Sequence, residues 1–204
     1  IDSGAQYQNG TTDLTRVLPV GNPSQAQKRD YTRVLKGLIN LSRTPFPPTV
    51  TLAHLDSLAR APLWQAGLDF GHGTGHGVGY FLNVHEGPQI LAYRATTAEE
   101  NIARPGLISS IEPGLYREER WGIRIENLGV ILPYKTEESE FGPFLHFETL
   151  TLAPIDRSLI LPALLNHEEV EWLNQYHSKV YHKLAPKIDD SAVKKWLKEA
   201  TQPL

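Results

Sequence analysis

The order of the hydrophobic periods constrains this chain more than any single residue does. Ile1–Tyr7 reads as a strand, Asn9-Gly10 as a hairpin signal, and "LTRVLPV" as the returning strand. From Ser24 the period becomes helical: Tyr31, Val34, Leu35, Leu38, Ile39 and Leu41 or Ser42 share one face. Ser24 and Gln27 form a capping box, and "TPFPP" stops the helix. A second helix is expected from about Leu52, with Thr51 as its cap, a break near Pro62 and an end by Gly67. Alternation then returns in "GLISSIEPGLY", broken at Pro113-Gly114, in "WGIRIENLGVIL" and in "FLHFETLTLAPI". Two strands, two helices and several further strands make an α+β order.

Beyond Asp156 the character changes to amphipathic helix. Asn166 and Glu169 form a capping box, and Val170, Leu173, His177, Val180 and Leu184 share a face. A shorter helix follows from Asp190, with Val193, Trp196 and Leu197 expected inward. The chain therefore divides into a body, residues 1–156, and a C-terminal helical extension, residues 157–204.

The 204 residues are 40% hydrophobic and 21% charged, enough to bury a core. With a net charge of -3, no basic stripe argues for nucleic acid and no basic amphipathic helix for a membrane partner. No apolar run approaches the roughly 20 residues of a spanning helix. There is no cysteine, so neither disulfides nor thiolate metal ligands are available, which suits the cytosol. The chain starts at Ile1 and lacks Met, and "IDSGAQY" looks like the end of a strand. It is expected to be the back part of a longer protein.

The stretch "GHGTGHGVGYFLNVHEGP" puts His72, His76 and His85 among glycines and almost no charge. Four carboxylates also sit beside turn residues at strand ends: Asp2 in "IDSG", Asp13 in "GTTDLTR", Glu112 in "SIEPG" and Glu126 in "IRIEN". An ionised Glu126 flanked by isoleucines is costly unless paired or coordinated. Arg124 shares its strand face at period two. Carboxylates with one imidazole suit a pair of hard to intermediate divalent ions, such as manganese, cobalt or zinc. Each residue also has a plain reading. Asp2 and Asp13 can be turn aspartates, the histidines satisfied core groups, Glu112 a turn residue, and Glu126 a partner of Arg124 alone. Spacing alone does not join the five into one site.

Together, "DSGAQYQNGTTDLTR", "GHGTGHGVGYFLNVHEGP", "PGLISSIEPGLY" and "GIRIENLGV" resemble, in this order, the signatures of aminopeptidase P, the X-Pro aminopeptidases of the pita-bread metallopeptidase class. "ETLTLAPID" and the helical tail are similar to the three-domain, cytosolic-type subfamily. The resemblance implies an incomplete pita-bread catalytic domain, since full members carry further N-terminal domains and another substrate histidine ahead of Asp2. It implies a dinuclear centre: Asp2 binding one ion by both oxygens, Asp13 and Glu126 bridging, and His76 and Glu112 completing the other. The two ions would be manganese first, with zinc or cobalt as alternatives. Glu112 would shuttle a proton to the leaving proline nitrogen, His85 would bond substrate near the scissile amide, His72 would line the proline pocket, and Arg124 would orient a bridging carboxylate or a neighbouring group. The glycines would let the backbone pass close to metals and substrate.

The implied activity is release of the residue before proline from peptides with proline second, in a cytoplasmic homodimer formed through the C-terminal region. A prolidase acting on X-Pro dipeptides uses similar ligands, and a non-catalytic pita-bread binding module is the alternative from another class. The presence of all five ligand residues disfavours the module.

Overall fold

The structure, a computed structural model, describes every residue except Ser139. Two strands, β1 (Asp2–Tyr7) and β2 (Gly10–Thr15), form an antiparallel hairpin. Tyr7 already pairs with Gly10, so the loop is Gln8-Asn9 and not Asn9-Gly10. The register sets Asp2 opposite Thr15 and Gly4 opposite Asp13. Asp2, Asp13 and Thr15 therefore share one face. The expected return strand is shorter than read, because residues 17–20 carry no strand. Pro19 has no N–H to give to a ladder.

Helix α1 (Gln25–Arg43) begins in the capping box read from Ser24 and Gln27. Tyr31, Val34, Leu35, Leu38, Ile39 and Leu41 are buried along it. Helix α2 (Leu52–Trp64) crosses it closely. A Cβ on Gly37 would lie 2.3 Å from the Ala59 carbonyl oxygen, so only glycine fits there. Pro62 does not break α2. It cannot donate to the Leu58 carbonyl four residues back, but the Asn40 amide of α1 donates to that oxygen at 2.7 Å instead. Thr51 stands at the N-cap without a side-chain cap; its hydroxyl meets His54 Nδ1 at 2.8 Å.

Short strands β3 (Gly75–His76) and β4 (Ile90–Leu91) pair antiparallel. β5 (Ile108–Ile111) ends before Pro113, as read, and β6 (Gly114–Arg117) pairs with β7 (Trp121–Arg124). β5, β8 (Asn127–Tyr134) and β9 (Phe144–Thr149) form an antiparallel sheet in the order β5-β8-β9. Two readings are corrected here. "WGIRIENLGVIL" is not one strand, and Glu126 lies in its break. The Ile125 N–H turns to the Pro113 carbonyl and the Glu126 N–H to the Thr15 carbonyl at 3.1 Å. The strand expected to reach Ile155 stops at Thr149.

Helix α3 (His167–Leu184) carries the predicted Asn166–Glu169 box and buries Leu173, Tyr176, His177 and Val180. Helix α4 (Ser191–Ala200) buries Leu197, whereas Val193 and Trp196 are exposed, contrary to the helical-face reading. The core joins α1 and α2 to the β5-β8-β9 sheet and to α3.

Candidate metal centre

The β1–β2 hairpin, the β3 turn, the β5–β6 corner and the β7–β8 break meet at one place. Ligand atoms of Asp2, Asp13 and Glu126 lie within 4.8 Å of one another, as do those of His76, Glu112 and Glu126, and of Asp13, His76 and His85. The five residues read as ligands are brought together, with His85 beside them. His76 Nε2 is 3.2 Å from Glu112 Oε1 and 3.6 Å from Asp13 Oδ2. Its Nδ1 lies 2.9 Å from the Gly77 carbonyl, which can only accept. Nδ1 therefore carries the hydrogen, and Nε2 is turned to the carboxylates. The His76 and His85 rings meet edge to face at 4.2 Å.

Gly75 is needed for a contact within the protein. A Cβ on Gly75 would lie 1.9 Å from the Ser110 carbonyl, so this glycine admits protein backbone and not substrate. The contact seats β3 on β5. There the Ser110 hydroxyl donates to Glu112 Oε1 at 2.9 Å and accepts from the His76 N–H at 3.0 Å.

Arg124 is not the partner of Glu126. Its Nη2 donates to Asp2 Oδ2 at 2.6 Å, its Nη1 to the Tyr116 hydroxyl at 3.2 Å, and its Nε to the Thr15 hydroxyl at 3.3 Å. His72 stands beyond them, with Nε2 2.7 Å from the same Tyr116 hydroxyl and Nδ1 2.7 Å from the Gly73 carbonyl. The Thr15 hydroxyl donates to Glu126 Oε2 at 2.7 Å. The sequence reading missed Thr15, Ser110 and Tyr116. The first two were within reach, since each lies two residues from a named carboxylate on a strand.

The electrostatics are unbalanced in a way that calls for cations. Burial first, then the Asp2 charge, pushes Asp13 above the usual carboxylate range. Burial, with the charge of Glu112 and other carboxylates, raises Glu126 to about 8. Burial would also raise Glu112, but hydrogen bonds from His76 and Ser110 outweigh it and hold this group low. Glu126 Oε1 is buried and has no hydrogen-bond partner among the described residues. A buried carboxylate oxygen without a donor, among three other carboxylates and one close guanidinium, fits bound divalent ions. Four carboxylates and an imidazole are a donor set of hard and intermediate type.

Carboxylates and a histidine gathered at strand ends, with their ligand atoms within 4.8 Å of one another, define a metallohydrolase type of centre. Residues 1–133 match the metallopeptidase family M24, and residues 143–204 match the C-terminal region of peptidase M24. The chain belongs to metallopeptidase family M24. It is 50% identical over its whole length to a probable Xaa-Pro aminopeptidase P of Colletotrichum graminicola and 48% identical to one of Ajellomyces dermatitidis. It spans about a third (33%) of the length of these relatives. An X-prolyl aminopeptidase of Caenorhabditis elegans, described as a cytosolic enzyme with a di-nuclear active site, superposes with a TM-score of 0.93 at 44% identity, covering 100% of this chain and 33% of that one. A prolidase of Pyrococcus horikoshii superposes with a TM-score of 0.60 at 33% identity, covering 78% of this chain and 40% of that one. The fold is that of the pita-bread metallopeptidases, represented here by part of the catalytic domain with C-terminal helices.

Proposed function

We propose that this chain carries the catalytic centre of an X-Pro aminopeptidase, which removes the residue before proline from peptides with proline second. The observation that carries the reading is the convergence of Asp2, Asp13, His76, Glu112 and Glu126, with one Glu126 oxygen left unpartnered. Asp2 would hold one ion, Asp13 and Glu126 would bridge two, and His76 with Glu112 would hold the second. Manganese is the ion proposed, with zinc or cobalt as alternatives. When bound, such ions supply Lewis acidity and a water of lowered pKa.

The chain's own residues divide the remaining work. Glu112, gripped by Ser110 and His76, takes a proton from the attacking water and returns it to the proline nitrogen. That nitrogen needs it, because a tertiary amide has no N–H and its ring nitrogen must leave as an amine. His85, exposed beside His76, faces the scissile amide. His72, Tyr116 and Arg124 form a hydrogen-bonded wall that receives the proline side.

The whole-chain likeness to aminopeptidases at 48–50% identity favours this reading over a prolidase. A cytoplasmic site of action and a homodimer formed through the C-terminal region belong to the same proposal. The exposed Val193 and Trp196 supply apolar surface for that contact. No helix among the described residues is long and apolar enough to cross a membrane.

The test is metal content and cleavage by the full-length protein, with Asp13→Ala and His76→Ala beside it. The reading expects close to two ions per chain, release of the first residue from an X-Pro tripeptide, and loss of activity in both variants. Cleavage confined to X-Pro dipeptides would make it a prolidase. A folded protein that binds no manganese, zinc or cobalt and cleaves nothing would make it a binding module.

A further inference from the structure

Thr15, the last residue of β2, and the adjacent Arg16 hold Glu126 from opposite ends. Thr15 bonds its carboxylate, as described. Arg16 bonds its backbone: Nη1 donates to the Glu126 carbonyl at 2.5 Å and to the Thr15 carbonyl at 2.9 Å. The rest of the guanidinium points to the C-terminal region. Nε donates to the Pro154 carbonyl at 3.0 Å, and Nη2 to Asn127 Oδ1 at 2.7 Å, the Ala153 carbonyl at 2.9 Å and the Tyr176 hydroxyl at 2.9 Å. A guanidinium has five N–H groups in one rigid plane, so this set of acceptors saturates it.

Tyr176 closes the connection. It lies on α3, its hydroxyl donates to the Ala153 carbonyl at 2.7 Å, and its ring stacks on Trp172 with centroids 5.4 Å apart. A helix of the C-terminal region is thus linked, through the single side chain of Arg16, to the backbone of Glu126.

That backbone needs holding. Glu126 sits in the break between β7 and β8, outside either ladder. Its carboxylate faces Asp13, Glu112 and Asp2, all of one charge, and among the described residues only the Thr15 hydroxyl bonds it. Without a fixed carbonyl, repulsion would turn the side chain out of the cluster.

We infer that Arg16 and Tyr176 are positioning residues for Glu126, through which the docking of α3 sets the affinity of the metal centre. The inference rests on the reading of that cluster as a dinuclear metal site. The plain alternative is that Arg16 and Tyr176 only fasten α3 to the body. That would change stability and leave metal affinity alone.

The experiment uses the full-length protein and manganese alone as probe. Stepwise dissociation constants come from calorimetry, and the exchange-coupled signal of a bridged pair from electron paramagnetic resonance. Arg16→Lys cannot serve the acceptors on both sides and is expected to weaken the second ion about tenfold and diminish the coupled signal. Tyr176→Phe keeps the ring on Trp172 and is expected to weaken the second ion about threefold, less than a direct outer-shell partner because it acts through Arg16. Should Arg16→Lys fail to fold, the Tyr176→Phe measurement decides alone. Thr201→Val removes a buried hydroxyl bond at the C-cap of α4 to the Leu197 carbonyl, a bond outside the Arg16–Tyr176 hydrogen-bond set, and is expected to bind both ions as wild type does. Wild-type affinities and signal in Tyr176→Phe would overturn the inference while leaving the metal site standing. A wild-type protein that binds no manganese would overturn the site itself, and the inference with it.

Discussion

Arg124 and Asp2 are joined by a hydrogen bond of 2.6 Å between Nη2 and Oδ2, across 122 residues of sequence. Arg124 is also 3.7 Å from Glu112 Oε2, so it is set against two of the cluster's carboxylates. Its side chain is 26% exposed and that of Asp2 54%, so the pair adds little to stability, about 1 kcal/mol at most. Its value lies in orientation. Arg124→Gln is expected to lower kcat/KM for an X-Pro tripeptide by about 10- to 100-fold while leaving thermal unfolding nearly unmoved. Steady-state kinetics beside a thermal melt check this. A shifted melt with unchanged kinetics would make Arg124 merely structural.

Thr15 is 4% exposed and Glu126 1%, and among the described residues their bond is the only one that Glu126's carboxylate receives. Thr15→Val keeps the shape and removes the donor. In the metal-free protein this leaves a buried carboxylate unsatisfied, a cost of about 1–3 kcal/mol. With metal present, coordination takes over part of that duty. Unfolding of wild type and Thr15→Val is therefore expected to differ more in chelator than in manganese. Equal differences in the two conditions would argue against coordination by Glu126.

The hairpin carrying Asp2 and Asp13 was legible because a turn signal and eleven residues of spacing suffice to fold it back. Its register was not, since Gly10 pairs with Tyr7 and the loop lies one residue earlier. Thr15 and Ser110 were legible in principle at period two from Asp13 and Glu112. The break at Glu126 was hidden, because alternation runs unbroken through "IRIEN" and the break comes from distant carbonyls, those of Pro113 and Thr15. For the same reason the plain reading of Glu126 as a partner of Arg124 alone fails, since Arg124 bonds Asp2. Pro62 misled because its rescue comes from Asn40 of another helix. Trp196 misled because a helical face needs something to cover it, and α4 is covered only along Leu197.

Arg60 is 1% exposed and feeds the same site from behind. Its Nε donates to Asp56 Oδ2 and its Nη1 to Asp69 Oδ1, each at 2.7 Å, and Nη1 and Nη2 reach the carbonyls of Phe70 and His72. Its guanidinium carbon stands 3.8 Å over the Phe70 ring. Arg60→Met would leave Asp56, fully buried, without its cation, at a cost of about 3–5 kcal/mol. Adding Asp56→Asn removes the stranded charge. The double variant is expected to be more stable than Arg60→Met alone, and denaturant unfolding of the four members of the cycle measures it. Strictly additive losses would mean that the two charges do not need each other.

His177 gives the C-terminal docking a pH dependence. It is fully buried on α3, and its Nε2 accepts the Ile155 N–H at 3.1 Å. Burial, reinforced by the charges of Arg157 and Arg16, lowers its pKa from 6.5 to about 4. The folded protein therefore refuses a proton that the unfolded chain accepts. Its contribution to stability is complete above pH 6.5, falls as pH falls below it, and is spent near pH 4. Between pH 6.5 and 5 the loss is about 2 kcal/mol. Glu126 works with the opposite sign in the metal-free protein, since a raised folded pKa makes it gain stability as pH falls from about 8. Comparison with His177→Gln, which keeps an acceptor for Ile155 and cannot titrate, isolates the histidine. The gap in unfolding free energy between the two is expected to shift by about 2 kcal/mol toward the variant from pH 6.5 to 5. A gap that stays constant over that range would mean that His177 is already protonated, or reached by water, in the folded protein.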